Sequence, residues 1–107
     1  MNDVTFVEAA RCLAQRAMRE GGSTPEERLT LAFRLVLSRA PRPTELKVLL
    51  DGWRDHLARF RADADAAREF LTAGESPRDE KLDPAELAAY AAVAGLILNL
   101  DEAITKQ

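Results

Sequence analysis

The sequence has few of the residues that form covalent or metal-stabilised cores. It contains one cysteine, Cys12, and one histidine, His56. A lone cysteine cannot form an internal disulfide, and a zinc site here would need mostly carboxylate ligands, which no spacing in the chain suggests. A chain of 107 residues can bury enough surface to fold by packing alone. We therefore expect no metal, no other cofactor and no disulfide in this domain.

Other absences exclude classes of function. Fifteen Lys and Arg residues against eighteen Asp and Glu residues give a net charge of −3, so there is no basic footprint for nucleic acid. No glycine-rich phosphate loop and no nucleophile elbow occurs. The longest uninterrupted apolar run falls short of the roughly 20 residues that a membrane span needs. We assign no catalytic residue, no nucleic-acid partner and no membrane span.

The first ten residues, MNDVTFVEAA, have neither a basic n-region nor an apolar h-region. They do not form a signal peptide. Two alternatives stay open at this point: a cytoplasmic chain, or a piece of a longer protein.

The apolar spacing predicts helices only. No segment alternates with a period of two, whereas periods of three and four recur along the chain. Helices are predicted over residues 3–20, 24–38, 43–60, 63–72 and 83–100. The sequence therefore predicts an all-α fold, a compact bundle of four to five helices that forms one domain over residues 1–107.

The last long helix is predicted to be the centre of the bundle. Asp83 and Pro84 form a typical helix start, and the segment is apolar on almost every side. Ala88, Ala92 and Gly95 form a strip of small residues, which we interpret as a close contact within the chain rather than a self-association seam.

The third helix carries the clearest apolar stripe, with Trp53 at its middle. We expect Trp53 to be buried against the last helix. The second helix has Leu31 and Leu35 on the side opposite its main stripe, so we expect it to be covered on two faces.

Two groups of side chains could carry chemistry. Asp51, Asp55 and His56 could bind a metal or move a proton, but the two carboxylates fall opposite the apolar stripe. We interpret them as a solvated face with an Asp55–Arg59 ion pair. Cys12 could be a reactive thiol, and we favour a small filler residue instead.

The remaining polar groups are assigned to solvent. On the first helix, a polar face opposite the apolar arc is predicted from Glu8, Arg11, Gln15 and Arg19. Arginines between residues 54 and 68 are diluted almost one for one by carboxylates, so they indicate a solvated face rather than a basic patch.

Several short segments together resemble one known family. They are ND at 2–3, TFVEAAR at 5–11, AFRL at 32–35, GESP at 74–77, LDPAELAA at 82–89 and LNLDE at 98–102. This set is similar to the C-terminal part of the domain of unknown function in large planctomycete cytochrome c-type multidomain proteins. The resemblance covers nearly the whole chain, and the segments occur in the family's order.

The resemblance implies a helical module at the C-terminus of an exported, larger protein, with the upstream domains as its partners. It implies no catalytic residue, and the family's haem-attachment motif is absent from this chain. Where the family places Thr before a helix start, this sequence has Arg42, which is expected to weaken the cap of the third helix.

Two functional hypotheses follow. The first is a non-catalytic structural or protein-interaction module. The second is an accessory part of an active site completed by upstream domains, through the 74–79 loop. The residues assigned to interaction in either case are Gly74, Glu75, Ser76, Pro77 and Asp79.

Weak self-association is a further expectation. Absence of an upstream portion would leave apolar side chains uncovered on the first two helices. The residues predicted to take part are Val4, Val7, Leu31 and Leu35.

Overall fold

The computed structural model describes residues 4–72 and 78–105, and for residues 4–5 and 102–105 it describes the backbone alone. Five helices follow one another: α1 (Val4–Glu20), α2 (Pro25–Leu37), α3 (Pro43–Ala62), α4 (Ala64–Leu71) and α5 (Pro84–Thr105). No strand occurs within these described ranges. The all-α prediction is confirmed. None of the described helices is long and apolar enough to cross a membrane.

Side-chain caps fix the starts of three helices. The Thr24 hydroxyl accepts a hydrogen bond from the backbone N–H of Glu27 at 3.2 Å. Asp63 accepts from Ala66 at 3.0 Å at the start of α4, and Asp83 accepts from the first turn of α5 at 2.9 Å. Each cap satisfies a backbone donor that has no partner inside its own helix. These starts agree with the sequence-based prediction.

The start of α3 is stabilised by a different device. Arg42 supplies no side-chain acceptor, but the Glu45 carboxylate accepts a hydrogen bond from the Arg42 backbone N–H at 2.8 Å. The Arg39 guanidinium donates to both oxygens of the same carboxylate, at 2.9 and 3.0 Å. The expected weak cap is therefore offset, and the helix begins directly at Pro43.

This arrangement makes a prediction about acid stability. The hydrogen bond from Arg39, with that from the Arg42 backbone, lowers the Glu45 pKa from 4.5 to about 2. A carboxyl whose pKa is lowered by folding stabilises the fold above its unfolded pKa, and that contribution is lost as the pH falls through the folded pKa. We expect wild type to melt at a higher temperature than Glu45→Gln at pH 6, with the gap narrowing between about pH 4.5 and 2. Calorimetry of both proteins across this range checks it, and a constant gap would contradict the assigned role of the Glu45 charge.

The central position of α5 follows from its neighbours. It contacts all four other helices, while α1 contacts α2, α2 contacts α3 and α3 contacts α4. The four helices therefore surround α5 in chain order. Its central residues Leu87, Tyr90, Val93 and Ile97 are buried. The prediction of a bundle around the C-terminal helix is confirmed.

Trp53 joins α3 to this central helix. Only 8% of its surface is exposed, and its ring lies 5.2 Å from that of Tyr90 between centroids. Leu49 shares a surface pocket with Leu96 and Leu100, whereas Phe60 lies near Pro84 at the other end. The two helices are therefore antiparallel, and the predicted burial of Trp53 against α5 is confirmed.

The predicted polar face of α1 is wrong in part. Arg11 and Gln15 are buried, with 2% and 7% of their surfaces exposed. The end of α4 and residues 78–79 cover this side of α1. Arg11 donates to the Leu71 carbonyl at 2.8 Å, and Gln15 accepts from the Asp79 backbone N–H at 2.8 Å. Burial of both side chains is possible because these bonds replace bonds to water.

The expected cover on two faces of α2 is also only half correct. Leu29, Ala32 and Phe33 are buried, and Leu31 is half-buried. Leu35, however, remains 38% exposed because the neighbouring helices pack against the other sides of α2.

Candidate functional site

The residues predicted for interaction are only partly described. Gly74, Glu75, Ser76 and Pro77 lie outside the described residues. Asp79 is described, and it is held on α1. The Arg19 guanidinium donates to its carboxylate through Nε at 3.1 Å and Nη2 at 2.6 Å. This pairing with Arg19 lowers the pKa of Asp79. The observed role of Asp79 is therefore to anchor its segment to the first helix.

The carboxylates of α3 lie on a solvated face, as predicted, but with different partners. Asp51 accepts from Lys47 at 2.8 Å and lies 3.7 Å from the Arg54 guanidinium. No Asp55–Arg59 ion pair forms within the described part of the chain, so that expectation is wrong. His56 lies on another side of the helix and is half-buried. Across the described ranges, no group of three metal-binding side chains comes together.

Two further sets of side chains show no arrangement typical of a reactive or binding site. Cys12 is exposed on α1, so its predicted role as a small filler residue is wrong. Arg68 pairs with Asp65 at 3.2 Å, and with Arg61 it lines a depression of about 240 Å³ that also contains Asp83. The mixture of charges there fits the predicted solvated face.

The most distinctive surface feature is a seam between α1 and α3, with α5 as its floor. The short helix α4 lies over one part of this seam. Its eight residues span about 12 Å, against about 33 Å for the 22 residues of α5. Ala88 and Ala89 are fully buried in the first half of α5, whereas Leu96 in the second half is 43% exposed. The seam is therefore covered only along its first part.

The uncovered part contains an open groove of about 320 Å³, which we call the His56 groove. Helices α1, α3, α4 and α5 all contribute to it. Its lining residues are Phe6, Val7, Ala10, His56, Phe70, Ala91, Ala92, Gly95, Leu96 and Asn99. Apart from His56 and Asn99, the lining residues have apolar side chains or, at Gly95, no side chain.

A second depression lies beside it. This Val48 pocket, of about 230 Å³, is lined by Phe33, Glu45, Val48, Leu49, Leu96 and Leu100. Leu96 belongs to both depressions, so they form one continuous apolar surface, which we call the docking face. Val48 is 61% exposed and Leu100 is 39% exposed. Three of the four large apolar side chains that are exposed in the described ranges lie here, the fourth being Leu35.

The small-residue strip of α5 has the predicted internal role. A Cβ atom at Gly95 would lie 3.6 Å from the Phe6 ring and 3.9 Å from the Ala10 side chain. Ala88 is fully buried and Ala92 is half-buried. The strip therefore lets α1 pack closely on α5, and intramolecular packing is confirmed at Gly95.

The residues predicted for self-association have mixed positions. Leu35 is exposed, Leu31 and Val7 are half-buried, and the side chain of Val4 lies outside the described residues. Val7 lines the His56 groove. Self-association through the first two helices stays a prediction.

Sequence reasoning missed the docking face. On a helical wheel Leu96 lies opposite Leu87 and Ala94 and on the side of the polar Asn99, but Ala88 and Ala89 on that same side are buried, so the wheel alone does not assign its exposure. The length of the fourth helix was the available signal, since eight residues cannot cover the whole of α5.

No family model, no curated protein and no solved structure matches this chain. The resemblance to the planctomycete family remains a prediction.

Proposed function

We propose that this chain is a non-catalytic protein-interaction module and that it binds its partner through the docking face. The observation that supports this most is the exposure of Leu96 on a helix whose other large apolar side chains are mostly buried. Isolated exposed apolar residues are common on proteins, but a continuous apolar surface with grooves is typical of interaction sites.

The burial of exposed apolar side chains would favour the binding of a partner. Fully burying a leucine or valine side chain stabilises a complex by roughly 1.5 to 3 kcal/mol. Val48, Leu96 and Leu100 are each about half exposed, so a partner can still remove a substantial part of their surface from water. These three side chains would be the centre of the interface.

The shape favours a protein segment over a small molecule. Small-molecule sites usually enclose most of their ligand. The His56 groove is open to solvent and continues past Leu96 into the Val48 pocket. A polypeptide segment with apolar side chains spaced to reach both depressions would use the whole surface.

The chemistry of the lining supports a non-catalytic role. His56 is the one titratable side chain among the residues that line the His56 groove. The lining supplies no nucleophile and no second acid or base within that groove, so a proton-transfer reaction would lack a partner there.

The partner we propose is another part of a larger exported polypeptide. This assignment rests on the resemblance to the planctomycete family, which places such a module after upstream domains. Under this proposal the docking face is an internal interface between this module and its upstream domains.

The second candidate is an accessory part of an active site that upstream domains complete through the 74–79 loop. It is favoured by the attachment of Asp79 to Arg19 and Gln15, which fixes one end of the segment on α1. Alanine substitutions at Glu75, Ser76 and Asp79 in the full-length protein test it. Loss of a measurable activity with folding intact would support this candidate over ours.

Site-specific photocrosslinking in the native cells tests the leading proposal. A photoreactive phenylalanine analogue replaces Leu96 on the docking face or, as the control, exposed Ala58 on α3. We expect position 96 to crosslink to one reproducible peptide of an upstream domain, and position 58 to give none. A crosslink to a different protein would keep the interaction role and reject the internal interface. Equal, scattered products from both positions would reject the docking face.

A further inference from the structure

One side of α1 binds both ends of the connection between α4 and α5. Arg11, Gln15 and Arg19 follow one another at a spacing of four, so they lie on successive turns along the same side of the helix. Arg11 donates to the carbonyl of Leu71, the last residue of α4. Gln15 and Arg19 bind Asp79, where the chain returns to α1 before α5 begins. We call these three α1 side chains the polar row.

Arg11 caps the C-terminal end of α4. The last carbonyls of a helix have no partner inside that helix, and a cation placed there also interacts favourably with the helix dipole. The Arg11 guanidinium donates to the Leu71 carbonyl at 2.8 Å, and only 2% of the arginine's surface is exposed. Water therefore competes little for this hydrogen bond as long as the surrounding segments stay in place.

The helix α4 depends on such contacts because it is short. A helix of eight residues is not stable on its own in water. Ala67 and Leu71 are its two buried side chains. Elements with few buried apolar side chains open locally at low free energy. We therefore expect α4 to open well below the free energy of global unfolding.

Gln15 lies between the two ends of the connection. It is one turn from Arg11 and one turn from Arg19, and 7% of its surface is exposed. Its side-chain oxygen accepts a hydrogen bond from the Asp79 backbone N–H at 2.8 Å. The end of α4 and residues 78–79 cover this side of α1 together, so departure of either one lets water reach the bonds of the other. Since water weakens a buried hydrogen bond, the two ends should break together.

We propose that the polar row is a latch: α4 and the segment at Asp79 open as one unit, and the Arg19–Asp79 ion pair holds both of them closed. Within the described ranges, neither residue of that pair hydrogen-bonds to α4. Its control of α4 is therefore indirect, through α1. Opening uncovers the first half of α5, where Ala88 and Ala89 are fully buried. The inference goes beyond the proposed function and does not require an occupant of the docking face.

Amide hydrogen exchange of the whole chain, measured by NMR, tests the latch. The exchange rate of an amide reports the free energy of the opening that exposes it. A substitution that removes an interaction speeds exchange only at amides whose opening breaks that interaction. Asp79→Ala removes the ion pair with Arg19 but keeps the backbone N–H that donates to Gln15. Asp51→Ala is the matched control, because it removes an ion pair with Lys47 on the exposed side of α3.

Wild type should show one opening unit. We expect the amides of α4 and the Asp79 amide to have similar opening free energies, lower than those at the centre of α5. Asp79→Ala should speed exchange in α4 by about three- to tenfold. The slowest amides of α5 should speed up by the same factor, since global unfolding also breaks the latch. Asp51→Ala should leave the exchange rates in α4 unchanged.

A second variant measures the coupling in the opposite direction. Arg11→Met removes the hydrogen bond to α4 and keeps an unbranched side chain in its place. Coupling between two sites is reciprocal, so this change should speed exchange of the Asp79 amide at least threefold. Circular dichroism of the same samples reports whether the helix content is retained.

Three outcomes would overturn the latch. Faster exchange at the centre of α5 but unchanged exchange in α4 of Asp79→Ala would show that α4 opens while the ion pair stays intact. Unchanged exchange at every amide of this variant would show that the ion pair holds nothing closed. Equal acceleration of α4 by Asp51→Ala would show that any lost ion pair has the same effect. If Arg11→Met does not fold, the comparison of Asp79→Ala with Asp51→Ala still decides between these results.

Discussion

Replacing Trp53 with alanine is expected to cost about 3 to 5 kcal/mol of unfolding free energy. The side chain is 8% exposed and its ring contacts that of Tyr90 on α5. Its removal would leave a cavity between the third helix and the central one, and the surrounding rings could collapse only partly. Urea titration followed by circular dichroism measures the loss.

Val48→Ala is the matched control for this substitution. Val48 lies on the same helix but is 61% exposed, so its truncation should change the unfolding free energy by no more than about 0.5 kcal/mol. A loss below about 1 kcal/mol for Trp53→Ala would place the tryptophan outside the core and contradict the antiparallel packing of α3 on α5.

Gly21→Ala is expected to produce the second large effect. It should lower the unfolding free energy by about 3 kcal/mol, which is at the upper end of the usual cost of overpacking. An added Cβ would lie 2.5 Å from the Ala17 carbonyl oxygen and 2.8 Å from the Arg28 Cα atom. Both are backbone atoms, so no side-chain rotation can relieve the clash. The turn between α1 and α2 would have to open.

A second glycine offers a control for which the expected change in stability has the opposite sign. Gly52 lies inside α3, and an added Cβ there would meet nothing within 4 Å. Alanine should therefore stabilise the helix by roughly 0.5 to 1 kcal/mol, because glycine loses more backbone entropy on folding. Thermal melts measure the melting temperatures of both variants, and we expect a decrease for Gly21→Ala and an increase for Gly52→Ala. Equal shifts in melting temperature would contradict the close approach of the α1–α2 turn at Gly21.

The parts of the fold that depend on local signals were predictable from the sequence. Thr24, Asp63 and Asp83 are short polar side chains directly before apolar segments, and each one caps a helix as expected. Trp53 was predictable because the spacing of its apolar neighbours leaves it on the inner side of α3. Each of these features depends only on residues within one or two helical turns of it.

The parts that depend on distant neighbours were not predictable. Arg11 is buried because the carbonyl of Leu71, 60 positions later, accepts its hydrogen bond. Gln15 is buried for a similar reason, through the Asp79 backbone. No pattern on α1 alone distinguishes these two side chains from the solvated Arg16, so only the tertiary structure assigns them.

The candidate site also depends on residues that are distant in the sequence. Exposure of Leu96 is caused by the short length of α4 and by the separation of α1 and α3 above the second half of α5. The His56 groove is therefore a property of how four helices meet, and no motif encodes it. A surface of this kind requires no cluster of catalytic residue types.

Hydroxyl-radical footprinting measures whether the docking face is covered in the protein's native setting. The oxidation of Leu96 is compared between the purified chain and the protein in its native cells, with Leu35 as the internal control. The two leucines have similar exposure, 43% and 38%, so they start from comparable accessibility. We expect strong protection of Leu96 in the native protein and little change at Leu35. Equal oxidation of Leu96 in both settings would show that the face stays open to water and would rule out the proposed interface.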